Sequence, residues 1–223
     1  MFFIKYQIST SMLSIHEIRK RKLLYSAATN GHLKAIEYFV TQGLNVDDVR
    51  LSYGKSFRIA AANGHLHIIN YFISMGINPI GDNDILENSI IDASVNGHTY
   101  IINIILHLYE DRSLKFDANI LIRVIMCAAR YGHIKIIKYM INLGYFNKLY
   151  QDIFEGNREI MINAIQCAAQ YGQIKVIEYF VNHAKSEKRI KIPDDLLADN
   201  NLALKNAAEN NYVDVVKYLV QFM

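Results

Sequence analysis

One short stretch, Ala60-Ala61-Ala62-Asn63-Gly64-His65, returns along the chain in near copies, and that recurrence limits the possible folds more than any other feature. Aligned on the turn residue, the copies place Gly31, Gly64, Gly97, Gly132 and Gly172, with Asn211 in the equivalent position of a last, degraded copy. The successive separations are 33, 33, 35, 40 and 39 residues. A period near 33 with insertions signals stacked helix pairs, because a unit that short cannot bury its apolar face alone and must stack on its neighbours.

Upstream of each turn residue sits a small pair: Ala27-Ala28, Ala60-Ala61, Ala93-Ser94, Ala128-Ala129, Ala168-Ala169 and Ala207-Ala208. Such pairs let helices approach closely. Downstream comes a second helix, as in Leu33-Lys34-Ala35-Ile36-Glu37-Tyr38-Phe39-Val40 or Leu66-His67-Ile68-Ile69-Asn70-Tyr71-Phe72-Ile73. Polar residues at its second and fifth places lie three apart on one face, leaving a wide apolar stripe for the neighbouring repeats. Gly43, Gly76 and Gly144 suit the left-handed residue just past such a helix. Tyr109 and Ala184 stand there in the third and fifth copies, so less regular ends are expected.

Composition narrows the class without naming a reaction. With 52% hydrophobic and 20% charged residues the chain can build a core, which excludes disorder as its main state. A formal charge of +3 is too small an excess to imply nucleic acid unless it clusters on one face. The two cysteines, Cys127 and Cys167, make no disulfide framework, and Lys5 and Gln7 interrupt the apolar start before a signal core can form. A reducing, intracellular compartment is expected, the cytoplasm first and the nucleus also open. The longest aliphatic run, Ile101 to Leu106, is about a third of the ~20 residues a membrane span needs, so no membrane partner is expected.

The small pair, the turn Gly-His and the helix that follows resemble those of ankyrin-repeat proteins, from about Lys22 onward and over about nine-tenths of the chain. The resemblance implies an all-α solenoid of stacked antiparallel helix pairs. About six repeats are expected, at 22–54, 55–87, 88–122, 123–162, 163–201 and 202–223, after a cap at 1–21 that carries Phe2, Phe3, Ile4, Leu13 and Ile15. What departs is the Thr-Pro-Leu-His start of the family's first helix, which here reads Lys22-Leu23-Leu24-Tyr25 or Lys55-Ser56-Phe57-Arg58. The wording N-G-H-x-x-I-I-x-Y-F is also similar to ankyrin-repeat proteins of giant DNA viruses of amoebae.

The surplus residues fall at 145–162, where an aromatic segment allows an extra helical turn, and at 184–201, a charged loop. In that loop Pro193 suits the start of the next helix and Asp194-Asp195 its cap and first turn.

A search for chemistry returns scaffold. His32, His65, His98 and His133 share one repeat position. Stacked helices lie about 8–10 Å apart whereas zinc bonds are about 2 Å long, so hydrogen bonds within or between repeats suit these imidazoles better than a shared metal. Gly31, Gly64, Gly97, Gly132 and Gly172 are scaffold in the same sense. The cysteines share a position too, and small half-buried side chains suit them better than a disulfide. Gly54-Lys55-Ser56 ends like a phosphate loop, but Val49 stands where its first glycine belongs. No nucleophile, paired carboxylates or dinucleotide fingerprint appears, so the chain reads as no enzyme, with no cofactor, no metal and no small-molecule substrate.

The resemblance implies that first helices and turns line a concave face where a partner binds. Positions between the small pair and the turn residue are then the candidates: Asn63 and Asn96 in early copies, and Arg130, Tyr131, Gln170 and Tyr171 in the fourth and fifth, which carry the residue types that dominate binding hot spots. The expected function is a monomeric module that binds a protein partner, of host origin if the viral likeness holds. Two alternatives stay open. One is a nuclear or nucleic-acid-associated factor using the basic clusters Arg19, Lys20, Arg21, Lys22 and Lys185, Lys188, Arg189, Lys191. The other, implied by the viral resemblance, is an adaptor that presents host proteins to degradation machinery through a recruited partner.

Overall fold

A helix that carries a small pair near its end and a glycine three residues later has a defined way to stop, and the chain uses it repeatedly. The computed structural model describes residues 15–42, 50–76, 83–110, 118–142, 156–187 and 198–222. They form helices α1 (Ile15–Thr29), α2 (Leu33–Thr41), α3 (Arg50–Ala62), α4 (Leu66–Ser74), α5 (Asn83–Val95) and α6 (Thr99–Glu110). These are followed by α7 (Ala118–Tyr131), α8 (Ile134–Asn142), α9 (Gly156–Gln170), α10 (Ile174–Glu187), α11 (Ala198–Glu209) and α12 (Val213–Val220). Among the described residues there is no strand.

Each first helix ends in the same closure. The backbone N–H groups of His32, His65, His98, His133, Gln173 and Tyr212 donate to the carbonyls of Ala27, Ala60, Ala93, Ala128, Ala168 and Ala207 at 2.8–2.9 Å. One bond inside, Gly64, Gly97, Gly172 and Asn211 donate to Ala61, Ser94, Ala169 and Ala208 at 3.1–3.4 Å. This nested pair satisfies the last carbonyls of a helix and needs a left-handed residue between them. Gly31 takes φ +75°, and Asn211 at the degraded copy takes +59°. Asparagine is among the few side-chain-bearing residues that tolerate that region. The small pair therefore supplies both the packing surface and the carbonyls of the cap.

Second helices end in two ways. Gly76, at φ +68°, closes α4 after 9 residues. Where Tyr109 and Ala184 take that place, α6 and α10 run on to 12 and 14 residues, because nothing there favours a left-handed stop. Gly43 and Gly144 lie outside the described residues.

The chain forms two compact units, Met1–Ser89 and Ile90–Met223, divided inside α5. In the first, α1 packs on α3, with α2 and α4 each against its own first helix. Leu24, Ala28, Ile36, Phe57, Ala60, Ala61, Ile68, Ile69 and Phe72 are fully buried there. In the second, α7 packs on α9 and α9 on α11, while the second helices form their own row, α6 on α8, α8 on α10 and α10 on α12. Ile102, Ile105, Ile136, Ile137, Met140, Val176, Ile177 and Phe180 fill that core. Ser94 replaces the second alanine of a pair, and its buried hydroxyl donates to the Val124 carbonyl at 2.8 Å, so the polar atom is satisfied across the α5–α7 contact.

First helices begin earlier than the repeat windows expected from sequence. α3, α5, α7, α9 and α11 start at residues 50, 83, 118, 156 and 198, and α1 runs through residues 21 and 22. The physical reason is visible at Gly54, which sits inside α3 rather than in a phosphate loop: it is buried with the Ile85 side chain against it, so glycine marks a close helix contact there, not a break. Residues 1–14 of the cap expected at 1–21, residues 145–155 of the aromatic segment and residues 188–197 of the expected loop, with Pro193, Asp194 and Asp195, lie outside the described residues.

Candidate partner interface

The two residues ahead of each turn sit at the last helical position and the helix C-cap, and their chemistry splits the copies. Asparagines at the cap spend their amides on the scaffold. Asn30, Asn96 and Asn210 donate to the carbonyls of Ser26, Asp92 and Asn206 at 2.8–2.9 Å, one turn back in their own helices. Asn63 donates instead to the Thr29 carbonyl of the preceding repeat at 3.3 Å. Of the proposed contact residues, Asn63 and Asn96 are exposed but have their donors engaged.

Tyr131, the last residue of α7, and Tyr171, just past the end of α9, take the same repeat position without an amide to spend. Their rings are 48% and 37% exposed, large apolar area left in water with a polar tip. The Arg130 guanidinium lies 4.7 Å from the Tyr171 ring centroid, a cation–π contact that joins the fourth repeat to the fifth. Tyr131 stacks on His133 with centroids 6.4 Å apart and ring planes 25° from parallel. Arg130 and Gln170 are both exposed. Arg130, Tyr171 and the Tyr131–His133 stack thus form two aromatic edges beside one fixed cation.

Beneath this surface lie the cysteines. Cys167 is buried, and its thiol donates to the Met126 carbonyl at 3.8 Å. Burial pushes its pKa up, partly offset by a hydrogen bond from Arg130. Burial likewise raises Cys127, against the pull of Arg130 and Arg123. Both thiols are free, and both are held toward the neutral form that neither attacks electrophiles nor binds metals.

Two of the recurrent histidines turn toward the preceding repeat. His65 and His133 place Nε2 2.9 Å from the carbonyls of Thr29 and Val95, each at the end of the first helix before. His65 occupies the N-cap of α4 yet makes no side-chain cap bond there. The close approach sharpens the need for glycine: a methyl on Gly31 would lie 2.8 Å from the His65 ring, and one on Gly97 2.9 Å from His133. In the later copies Gln173 meets Gly132, and the Tyr212 ring covers Gly172, so the ring-on-glycine contact outlasts the histidine. Among the described residues no three His, Cys, Asp or Glu side chains converge as a ligand set.

Of the basic clusters, Arg19 and Lys22 are exposed on α1, Arg21 is half-buried, and the Lys20 ammonium donates to the Gln42 carbonyl at 3.4 Å. Lys185 lies in the last turn of α10, and Lys188, Arg189 and Lys191 fall outside the described residues.

A tyrosine ladder on the second helices was not anticipated from the sequence. The sixth residue of the second helix is Tyr38, Tyr71, Tyr139, Tyr179 or Tyr218 in five copies, with Ile104 in the third. Each ring meets the fifth residue of the preceding copy where a copy in its own unit precedes it. Tyr139 donates to Asn103 Oδ1 at 2.6 Å, and Lys138 Nζ lies 5.4 Å from the Tyr179 centroid. Burial and then Glu37 raise the Tyr71 pKa, as burial and then Glu178 raise that of Tyr218. Tyr38, first in line, is 60% exposed. The signal was present as one residue type at one repeat position, hidden by the general abundance of tyrosine.

Stacked helix pairs closed by a left-handed turn residue define a helical repeat scaffold, whose neighbours order one another. Residues 125–222 match the family model of ankyrin repeats in three copies. No curated protein matches the chain. The fold class is accordingly an all-α ankyrin-type solenoid. Ankyrin repeats generally mediate protein–protein interaction, and proteins built from them are typically non-catalytic. No described helix is long and apolar enough to cross a membrane.

Proposed function

We propose that the chain is a non-catalytic, monomeric interaction module, a single ankyrin-repeat solenoid from residue 22, that docks a protein partner on the face formed by its first helices and turns. The contact centres on Arg130, Tyr131, Gln170 and Tyr171. One observation carries this reading: the cation–π contact of 4.7 Å between Arg130 and Tyr171 holds an arginine and an exposed tyrosine, two of the residue types that dominate hot spots, in a fixed pose across adjacent repeats. Pre-ordered side chains lose less entropy on binding than mobile ones, so the same contacts yield more affinity. Asn96 contributes at the rim through its remaining carbonyl oxygen. The likeness in wording to viral ankyrin proteins supports a partner of host origin met in the cytoplasm.

The test uses a partner isolated by affinity capture and then purified. Tyr131→Ala combined with Tyr171→Ala should lower its affinity by about 30-fold, the loss of about 2 kcal/mol that defines a hot spot, with the melting temperature within a few degrees of the parent. Unchanged affinity in a folded double variant would overturn the site.

A further inference from the structure

We infer that the segment docking on the fourth repeat is an extended acidic peptide of a protein partner, whose carboxylates pair with Arg123 and Arg130. The inference rests on the docking reading above and specifies its chemistry. Ala118–Asn142, the whole of α7, its turn and α8, contains Arg123, Arg130, Lys135 and Lys138 and not one Asp or Glu. Both arginines are exposed, and Asp92 of α5 is a carboxylate whose charge reaches Cys127 between them, behind the charges of the two arginines. A patch with a surplus of one sign attracts the opposite sign and raises its encounter rate.

Geometry sets the form of the ligand. Arg123 and Arg130 stand seven residues apart on α7, which places them on one face about 10.5 Å apart along the axis. Half-buried Cys127 lies between them and feels the charge of both, so the two guanidinium groups flank one strip of surface. At about 3.3 Å per residue, an extended peptide spans that distance in about three residues. Tyr171 covers a face of the Arg130 guanidinium, which also hydrogen-bonds Cys167 and Tyr131, so the cation is held in place and its remaining N–H groups donate to a carboxylate. Tyr131, 48% exposed, offers an apolar contact beside that grip.

The charge distribution favours a short acidic peptide over a polyanionic strand. In the next described stretch, 156–187, Arg158, Lys175 and Lys185 are matched by Glu159, Glu178 and Glu187. Within the second unit the positive excess is therefore confined to the fourth repeat, whereas nucleic acid needs a cationic track along its backbone; the first unit has its own excess at Arg50, Lys55 and Arg58.

The full chain is titrated with a fluorescent synthetic peptide bearing glutamates three residues apart with tyrosine between them. Its glutamine twin and a single-stranded oligonucleotide of similar length are titrated in parallel, with binding read by anisotropy at low and raised salt. The acidic peptide should bind and weaken with salt, the glutamine twin should bind at least about tenfold more weakly, and Arg123→Gln with Arg130→Gln should lose the same factor. Arg123→Gln alone, at an exposed site clear of the Tyr171 contact, should lose severalfold and excludes a folding artefact. Equal affinity for the twins, undiminished binding by the arginine variants, or tighter binding of the oligonucleotide would each overturn the proposal. The purified partner separates the two readings. Affinity lost in the double tyrosine variant but kept in the double arginine variant removes the acidic assignment and leaves the docking site standing, while affinity kept in both removes both.

Discussion

At Asn211 the backbone takes φ +59° where its five counterparts are glycines at φ +70° to +83°. The residue must be left-handed for the nested bonds from Tyr212 and Asn211 to the Ala207 and Ala208 carbonyls to form, at 2.9 and 3.1 Å. A Cβ in that region crowds the following carbonyl, and only asparagine or aspartate offsets this locally. Asn211→Ala should therefore destabilise by about 1–2 kcal/mol, and Asn211→Gly should be neutral or stabilising, both measured by urea denaturation. An alanine variant as stable as the parent would contradict the account of the turn. At this scale the sequence was readable where one residue type answers one backbone demand, as glycine does at Gly31 and Gly64. It was less readable where a residue's duty is owed to its neighbour: nothing local says that the His65 ring bonds the Thr29 carbonyl, or that Asn63 and Asn96 have their amides engaged while the Tyr131 ring stays 48% exposed.

Among the elements, the second helices carry the cores. On α4, Ile68, Ile69 and Phe72 are fully buried while His67 and Asn70 face solvent, the division expected from polar residues three apart. Phe72→Ala should cost about 3–5 kcal/mol and Ile69→Ala about 2–5 kcal/mol. In a stack held by nearest-neighbour contacts the loss should appear first as faster amide exchange in the adjoining helices α2 and α3. An unchanged melting profile would contradict the core assignment. Helix existence was legible from the 3.6-residue periodicity, but first-helix starts were not. Without the Thr-Pro turn of the family, α3 gives no stop signal ahead of Gly54 and extends a turn upstream through Arg50-Leu51-Ser52-Tyr53. Second-helix ends followed from single residues: a glycine closes α4 at Gly76, and its absence lets α6 and α10 continue.

Over the whole chain, the small net charge of +3 conceals the uneven distribution that bears on function. The repeat stretch that recurs most faithfully is scaffold, its glycine and histidine used up in closing helices and covering the next turn. The copies that depart from it, at Arg130-Tyr131 and Gln170-Tyr171, keep the closure and present new side chains to solvent. The proposal places partner recognition at these exposed positions. Hydrogen exchange of the chain with and without its purified partner tests that assignment most directly. Protection confined to the facing ends of α7 and α9, around residues 123–131 and 163–171, with the second-helix rows unchanged, is the predicted result. Protection confined to α8 and α10, or to α1, would contradict it.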